Sequence, residues 1–522
     1  MKFWSSLAAA SFVATLSAVP VHGQGKPDAA TAAWWAQTTA LASDGMEGRD
    51  TGSAAYERAA KYVAAQFQAS GLKAAGEGGT YFQRVPLHQV DLDLAKSSVE
   101  VVSVAKTVPL IWMQETTLIP RAGLSADVTG EMVFVGYGVP DSTMDLHGKI
   151  AVFFNNTPAG LTAKEREGFA AKRAKGLTES GAKAIVSIDN PGAIEPFHWP
   201  AAYSRSVTIV SEKAPAVFAS PLTIRVSAKA AKKLFANASG HAFAEILKDG
   251  IKGAPLGTFA LGSELRVKAA VLEKEISSPN ILAVLPGSDP ALASEYVAVS
   301  AHLDGYGYGT PVLGDKLYNG ALDDAAYVAT LIELAKNLHG KAPARSILFC
   351  VFTGEEKGLL GSVYFTAHPT VPVKDIVADL NLDQLRPIFP LKILTMEGVD
   401  ESTLGSTVKT LAAKYGIEIR PDLEPERNLF RRADNYSFVR VGVPIASFIF
   451  GYNAGSPEEV VYRDWYARRY HKPQDDLKTP IVWDAAGTFN RFYGDLAVTI
   501  ADTAQRPTWN LSSSYAPKAK TN

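Results

Sequence analysis

Residues 345–367 read RSILFCVFTGEEKGLLGSVYFTA and predict a strand, a turn and a short helix. The run over residues 347–352 is apolar without alternation, which is typical of a strand buried on both faces in a parallel sheet. A turn at Gly354 then carries two adjacent glutamates, Glu355 and Glu356, before apolar residues return. The stretch therefore predicts a strand–turn–helix unit with an acidic pair just beyond the end of the strand.

Strand-like and helix-like segments alternate on both sides of this unit. Strands are predicted for NILAVLPG (280–287), YVAVSAHLD (296–304), DIVADLNLD (375–383) and VPIASFIFGY (443–452). Amphipathic helices are predicted for DDAAYVATLIELAKNLHG (323–340) and WDAAGTFNRFYGDLAVTIADTA (483–504). This alternation predicts an α/β fold with a mostly parallel central sheet flanked by helices.

The segment 105–275 has a different character, because short β-like runs such as KIAVFFNN and LTIRVSA are separated by turns. It predicts an inserted β-rich domain. Residues 24–104 and 276–510 would then form one discontinuous domain, followed by a polar C-terminal tail at 511–522. Two histidines of the insert, His198 and His241, are predicted to be surface or packing residues and not ligands.

The overall composition is that of a soluble globular protein, with 47% hydrophobic and 20% charged residues among 522. The formal net charge of −1 excludes a general electrostatic attraction to nucleic acid or to an anionic membrane. The single cysteine, Cys350, excludes an internal disulfide. Because it lies in the apolar run described above, it is predicted to be a buried structural thiol.

The N-terminus predicts export. Residues 1–23 combine a basic start, a short apolar run and small residues before a plausible cleavage point, which is typical of a secretory signal peptide. A membrane anchor is the alternative, but the apolar run is shorter than the ~20 residues that span a bilayer. A secreted or periplasmic protein without stable membrane association after cleavage is therefore expected.

Metal-ligating residue types recur along the last part of the chain, several of them just past the predicted strands. They are His302, Asp323, the pair Glu355–Glu356, Asp383 and His471. Zinc binds His nitrogen and carboxylate oxygen, and two metals about 3.5–4 Å apart can share one bridging carboxylate. The carboxyl ends of strands are where open α/β sheets bind ligands. The set therefore predicts a two-metal hydrolytic site, with one glutamate of the pair left to act as a base.

Several of these residues also have a structural interpretation, and Asp383 and His471 are unremarkable when each is taken alone. Asp323 could cap the helix that follows it, although Asp324 could fill that role instead. The glutamate pair could be a solvated acidic turn. His302 and Asp304, two residues apart, could be structural, or Asp304 could orient the ring of His302.

Seven strings together resemble a known family: MEGRDTGS, SAHLD, GDKLYNGALDDA, FTGEEKGLLGS, ADLNLD, RADNYSF and YHKPQD. In their order and approximate spacing they resemble the secreted di-zinc aminopeptidases of metallopeptidase family 28 (clan MH), some of which carry an inserted protease-associated domain. The resemblance implies a zinc exopeptidase fold. It also implies a secreted zinc-dependent exopeptidase, most simply an aminopeptidase that hydrolyses the N-terminal bond of a peptide or oligopeptide with a water held by two Zn²⁺ ions.

The resemblance also implies a role for each site residue. Asp323 would bridge the two metals, with His302 and Asp383 completing one site and Glu356 and His471 the other. Glu355 would be the general base, Asp304 the partner of His302, and Tyr470 a hydrogen-bond donor to the tetrahedral oxyanion. The peptide bond between Asp323 and Asp324 would be cis.

Several positions depart from the family pattern. Tyr327 stands where relatives have glycine, so it either lines the substrate pocket or packs between helix and sheet. Asn435, and Gln384 with its two successors, also differ, which affects the expected substrate preference and not the ligand set. The preferred terminal residue and the oligomeric state are not predicted.

Three other functions share this fold. A carboxypeptidase would need a cationic clamp, for which Arg386, Arg431 and Arg432 are candidates. A glutaminyl-cyclase-like enzyme would use one zinc, and a non-catalytic binding ectodomain would have lost ligands. The full ligand set favours the aminopeptidase over both of the latter.

Overall fold

The computed structural model describes residues 25–140, 145–192, 197–210 and 221–516. The predicted signal peptide and the end of the predicted tail, 517–522, lie outside the described residues. The first part of the chain forms α1 (Ala29–Leu41), α2 (Ala54–Ala69), β1 (Lys73–Ala74) and β2 (Phe82–Leu92).

The middle part of the chain forms β3 (Ser98–Val102), β4 (Thr107–Pro109), β5 (Thr116–Leu118), β6 (Ser125–Val135), β7 (Ile150–Phe154), α3 (Ala163–Glu179), β8 (Ala184–Asp189), β9 (Arg205–Ile209), β10 (Leu222–Ser227), α4 (Ala228–Ala231) and α5 (Phe243–Ile251). The last part forms β11 (Thr258–Leu285), β12 (Tyr296–His302), β13 (Gly307–Val312), β14 (Asp315–Tyr318), α6 (Ala326–Asn337), β15 (Ser346–Phe352), α7 (Leu360–Ala367), β16 (Ile376–Asn381), β17 (Ile393–Glu397), α8 (Leu404–Lys414), β18 (Glu418–Arg420), α9 (Asn435–Arg440), β19 (Ile445–Phe450), α10 (Pro457–Arg468) and α11 (Trp483–Asp502).

The main sheet is built around four parallel strands in the order β15-β12-β16-β19. Antiparallel neighbours extend it on both sides, with β11 next to β15 and β17 next to β19. Helices cover both faces, so the predicted α/β fold with helices flanking a mostly parallel sheet is confirmed.

The burial of β15 explains why its sequence lacks alternation. The side chains of Ile347, Phe349 and Val351 enter the larger core, to which α1, α2, α6, α8 and α11 also contribute. The side chains of Leu348, Cys350 and Phe352 enter a second core on the opposite face, which α7 and α9 cover. A strand covered on both faces must be apolar at every position. Cys350 is fully buried in this strand, as predicted.

A separate apolar core belongs to the middle of the chain and runs from Leu92 to Ala269. Its sheet has the order β5-β10-β8-β7-β6-β11-β3-β4. The long strand β11, 28 residues, joins both sheets, because its first half pairs with β6 and β3 and its second half with β2 and β15. The boundary predicted at 104/105 thus falls in the turn between the paired strands β3 and β4, and the one at 275/276 falls within β11. The division into domains stays a prediction.

Tyr327 is a core residue. It is fully buried, its ring lies 5.7 Å from that of Phe489, and its hydroxyl donates to the carbonyl of Phe448 at 3.4 Å. The interpretation that it lines the substrate pocket is therefore wrong. Among the described residues, no helix is long and apolar enough to cross a bilayer.

Candidate metal centre

Three of the predicted ligand segments leave the same edge of the main sheet. His302 is the last residue of β12, Glu355 follows β15 by three residues, and Asp383 follows β16 by two. Because β12 lies between β15 and β16 and all three are parallel, their carboxyl ends meet at one edge. The topology alone therefore brings an imidazole and carboxylates together.

The predicted ligands form two groups that share Asp323. In the first, Nε2 of His302 lies 3.2 Å from Oδ1 of Asp323 and 3.7 Å from Oδ1 of Asp383. In the second, Nε2 of His471 lies 3.5 Å from Oδ2 of Asp323 and 3.3 Å from Oε2 of Glu356. Each carboxylate oxygen of Asp323 thus faces a different histidine.

The donor atoms of these groups fit bound cations. Nε2 of His302, Oδ2 of Asp323 and Oδ1 of Asp383 are buried and make no hydrogen bond to any described residue. Lone pairs that face one another at such distances repel unless a proton or a metal ion lies between them. Imidazole nitrogen with carboxylate oxygen is a donor set that zinc accepts.

The ring of His302 is oriented by Asp304, but by the backbone and not by the side chain. Nδ1 of His302 lies 3.1 Å from the carbonyl oxygen of Asp304 and 3.8 Å from its carboxylate. A carbonyl only accepts, so Nδ1 carries a proton. Although burial opposes this, the carboxylates around the ring, Asp324 first among them, raise the pKa of His302 well above its usual range, so Nε2 also holds a proton unless a metal ion replaces it. The carboxylate of Asp304 instead accepts from the hydroxyl of Thr51 at 2.9 Å and from the backbone N–H of Glu355 at 3.0 Å. The predicted side-chain contact is thus replaced by a backbone one.

His471 is held between two tyrosines. Its Nδ1 lies 3.0 Å from the hydroxyl of Tyr306, and its ring stacks on Tyr470 with centroids 3.6 Å apart. With Nε2 facing Asp323 and Glu356, Nδ1 donates its proton to the Tyr306 oxygen. Tyr306 was not among the predicted site residues, although it lies only four residues after His302 in the same segment.

The loop of Asp323 is held by Asp475, which was also not among the predicted site residues. The carboxylate of Asp475 accepts from the backbone N–H groups of Leu322, at 3.1 and 3.2 Å, and of Asp323, at 3.0 Å. Asp475 belongs to the quoted string YHKPQD, so only its role was missed. The bond between Asp323 and Asp324 is cis, as predicted.

Neither aspartate of this loop caps a helix. The backbone is non-helical at Asp323 and Asp324, and α6 begins only at Ala326 without a side-chain cap. Asp324 accepts instead from the backbone N–H groups of His302 and Gln384, each at 3.3 Å. The interpretation of Asp324 as the helix cap is therefore wrong, because its carboxylate joins three loops of the site.

Arg49, from the string MEGRDTGS, ties the N-terminal part of the chain to the same loops. Its fully buried guanidinium donates to the carbonyl oxygens of Leu41, Leu303, Asn319 and Gly320. All four bonds are to backbone carbonyls and none is to a ligand side chain. Arg49 therefore positions the loops that carry Asp304 and Asp323.

Burial dominates the electrostatics of the site. Burial, together with the charges of Asp383 and Glu356, raises the pKa of Glu355 well above its usual range, although His302 opposes this. Burial, with the neighbouring His198 and Arg432, holds the pKa of His471 well below its ordinary value. His471 is therefore neutral, which is the form that binds a metal.

A cavity of about 430 Å³ opens beside the ligands. Its walls include Glu355, Glu356, Tyr470 and the arginines Arg431 and Arg432. Arg386 does not line it. Its buried guanidinium lies 4.6 to 5.1 Å from the rings of Tyr462, Trp465 and Tyr466.

A second cavity of about 390 Å³ lies between the site and the middle part of the chain. His471 and Tyr470 line it from one side, and Phe197, His198 and Tyr203 from the other. The ring of His198 lies 5.4 Å from that of Tyr470, yet His198 is in neither ligand group formed by the described residues. The other histidine considered, His241, stacks on Phe259.

Residues 280–497 match the family model described as peptidase family M28. The curated relatives include the probable leucine aminopeptidase 2 of Aspergillus fumigatus, 28% identical over 187 residues (34% of each chain). They also include the aminopeptidase YwaD of Bacillus subtilis, 25% identical over 189 residues (35% of this chain, 36% of the relative). The chain thus spans about a third of the length of these relatives.

Solved structures extend the likeness in fold over nearly the whole chain. An aminopeptidase from Aneurinibacillus sp. strain AM-1 matches with a TM-score of 0.58 and 19% identity, over 90% of this chain and 93% of that one. BSAP, a zinc aminopeptidase from Bacillus subtilis, matches with a TM-score of 0.54 and 18% identity, over 90% and 94%. At such identities the likeness shows a shared fold.

Proposed function

We propose that this protein is a zinc-dependent exopeptidase, and specifically an aminopeptidase that hydrolyses the N-terminal bond of peptides. The observation that carries the proposal is the pair of ligand groups sharing Asp323, beside a cavity that Glu355 also lines. The match of residues 280–497 to peptidase family M28 and the aminopeptidases among the relatives support it.

The chain would hold two zinc ions. His302 and Asp383 would bind one, Glu356 and His471 the other, and Asp323 both. When bound, the ions would polarise the scissile carbonyl and lower the pKa of the attacking water. The neutral His471 would offer its Nε2 directly, and His302 would give up its Nε2 proton on binding zinc, while its Nδ1 keeps its own proton on the Asp304 carbonyl.

Glu355 would act as the general base. It belongs to neither ligand group, lines the cavity, and is adjacent to the ligand Glu356. A carboxylate in this position can take the proton of water and return it to the leaving amine. The bond from its backbone N–H to Asp304 fixes the turn, so Asp304 is a positioning residue.

Tyr470 would donate a hydrogen bond to the tetrahedral oxyanion. It lines the cavity next to His471. Burial and the nearby charge of Asp323 raise the pKa of its phenol well above the usual range. The phenol therefore stays protonated and able to donate when negative charge develops on the substrate.

A carboxypeptidase is the second candidate, because Arg431 and Arg432 line the cavity and could bind a substrate carboxylate. Arg386 no longer supports it, since that side chain is enclosed by aromatic rings. The preference between the two rests on the relatives, which include aminopeptidases.

One panel of peptides tests the proposal. The zinc-loaded protein should release the first residue of Leu-Gly-Gly, leave N-acetyl-Leu-Gly-Gly intact, and lose activity with a chelator. Cleavage of the acetylated peptide at its C-terminus would establish the carboxypeptidase. No hydrolysis of these peptides, or of Arg-Gly-Gly and N-acetyl-Arg-Gly-Gly, by protein with bound zinc would refute an exopeptidase.

We also infer that the protein is exported and that the middle segment is a protease-associated domain placed over the cleft. The basic and apolar character of residues 1–23 supports export. Mass spectrometry of the protein from the periplasm or medium should give a chain lacking about 23 residues. A full-length N-terminus in that fraction would contradict cleavage.

A further inference from the structure

A fifth carboxylate lines the cavity beside the metal centre. Glu397 is the last residue of β17 and pairs with Ser447 on β19. It is 5% exposed, and its Oε1 is buried without a hydrogen bond to any described residue. The four other carboxylates among the described lining residues, Asp323, Glu355, Glu356 and Asp383, are explained by the proposed catalysis.

A buried acceptor without a partner is unfavourable, so its presence calls for an explanation. Burial raises the pKa of Glu397 to about 8, and the charges of Asp422 and Asp383 add to this, while Arg427 and Arg432 act in the opposite direction. The arginines of the protein therefore do not fully compensate this carboxylate.

The surrounding wall is suited to a long side chain. Leu429, Ile449 and the ring of Tyr466 supply apolar surface, and Ser447 and Gln384 supply neutral polar groups. An aliphatic stem can pack on such a surface while a cationic end pairs with a carboxylate. Lysine and arginine combine these two features.

Two arginines, Arg431 and Arg432, also lie in the cavity wall, and the charge of Arg432 opposes the rise in the pKa of Glu397. Arg432 also lines the second cavity next to His471. The guanidinium of Arg431 lies 5.7 Å from the rings of Tyr436 and Tyr515. Oε1 of Glu397 nonetheless has no hydrogen-bond partner among the described residues, and a cationic group of the substrate would supply one.

We propose that Glu397 is a specificity-determining residue that selects peptides with an N-terminal arginine or lysine by pairing with the cationic end of that side chain. This inference rests on the proposed aminopeptidase function. A carboxylate at this position should distinguish a cationic substrate side chain from a neutral one of the same length.

Arginine and citrulline provide that comparison, because they have nearly the same shape and differ in charge. The zinc-loaded wild type should show kcat/KM at least about tenfold higher for an arginyl than for a citrullinyl anilide, since an unmatched buried charge is costly. Glu397→Gln should bring this ratio close to one. Asp422→Asn is the matched control, because it removes a nearby charge and leaves the cavity wall intact, and it should keep the preference.

A binding measurement separates failure of this inference from failure of the proposed function. Calorimetry on zinc-loaded protein should show L-arginine binding at least about tenfold tighter than L-citrulline, and Glu397→Gln should remove the difference. If that pattern holds without turnover of any anilide, the peptidase function is wrong and the role of Glu397 stands. Equal binding of arginine and citrulline by the wild type, or a preference unchanged in Glu397→Gln, would overturn the inference.

Discussion

Replacing Glu355 by glutamine should abolish turnover while leaving the metals in place. Glutamine keeps the size of the side chain, and the backbone bond from residue 355 to Asp304 is unaffected. It cannot accept the proton of water. General acid–base catalysis contributes about 10²–10⁴-fold, so we expect kcat to fall by at least about 10³-fold, or about 4 kcal/mol in the activation free energy.

The stability of the Glu355→Gln variant should not fall along with its kcat. Burial and the charges of Asp383 and Glu356 raise the pKa of Glu355 in the folded protein. A carboxyl with a raised folded pKa destabilises the fold once pH exceeds its unfolded pKa, about 4.3. The amide removes that cost, so the melting temperature of the metal-free variant at pH 7 should equal or exceed that of the metal-free wild type.

The matched comparison is Glu356→Gln, one residue further along. Glu356 lies 3.3 Å from Nε2 of His471 in the second ligand group. This variant should lose zinc together with activity. Steady-state kinetics, metal content and melting temperature should be measured on both proteins. Metal lost from the Glu355 variant and retained in the Glu356 variant would show that the two roles are reversed.

Three further outcomes follow from the contacts of the site. Tyr306→Phe removes the hydrogen-bond partner of His471 Nδ1 and should weaken the affinity for the second zinc about 10–100-fold. Tyr318→Phe is the control and should not weaken it, because the Tyr318 hydroxyl bonds the carbonyl of Thr310 instead. Equal zinc affinities of the two variants would contradict the role of Tyr306. Asp475→Ala leaves the backbone N–H groups of Leu322 and Asp323 without their acceptor and should lower the free energy of unfolding by about 1–3 kcal/mol, measured in urea; an unchanged midpoint would show that these bonds do not hold the loop. Chelation leaves the ligand carboxylates uncompensated and should lower the stability by about 4 kcal/mol for each zinc ion removed, relative to zinc at a thousandfold excess over its Kd; identical melting curves would argue against a bound cation.

The fold could be predicted from the sequence largely because buried parallel strands are distinctive. The run at 347–352 is apolar at every position, and the structure buries alternate side chains in two cores. The boundary near residue 275 could not be found in the same way. There β11 continues as one strand and only its pairing partners change, from β6 and β3 to β2 and β15.

The ligand residue types were visible because they follow strands whose ends must meet. The groups that orient these ligands could not be identified from the sequence. Asp475 bonds the backbone of Asp323 across 152 residues of sequence, and Arg49 reaches Leu303 across 254. No local pattern encodes such contacts. The orientation of His302 shows a further limit, because His-x-Asp suggested a side-chain contact and the carbonyl of Asp304 makes it instead.

Zinc content of the Asp323→Ala variant tests the central claim most directly, because each oxygen of Asp323 faces a different histidine. Wild-type protein dialysed against trace zinc should retain two ions per chain by mass spectrometry of the metal. Glu397→Gln, which lines the same cavity outside the ligand groups, should also retain two. Asp323→Ala, shown to be folded by circular dichroism, should retain none. Two ions in the folded Asp323 variant would contradict a shared bridging carboxylate and with it the two-metal centre proposed for this site.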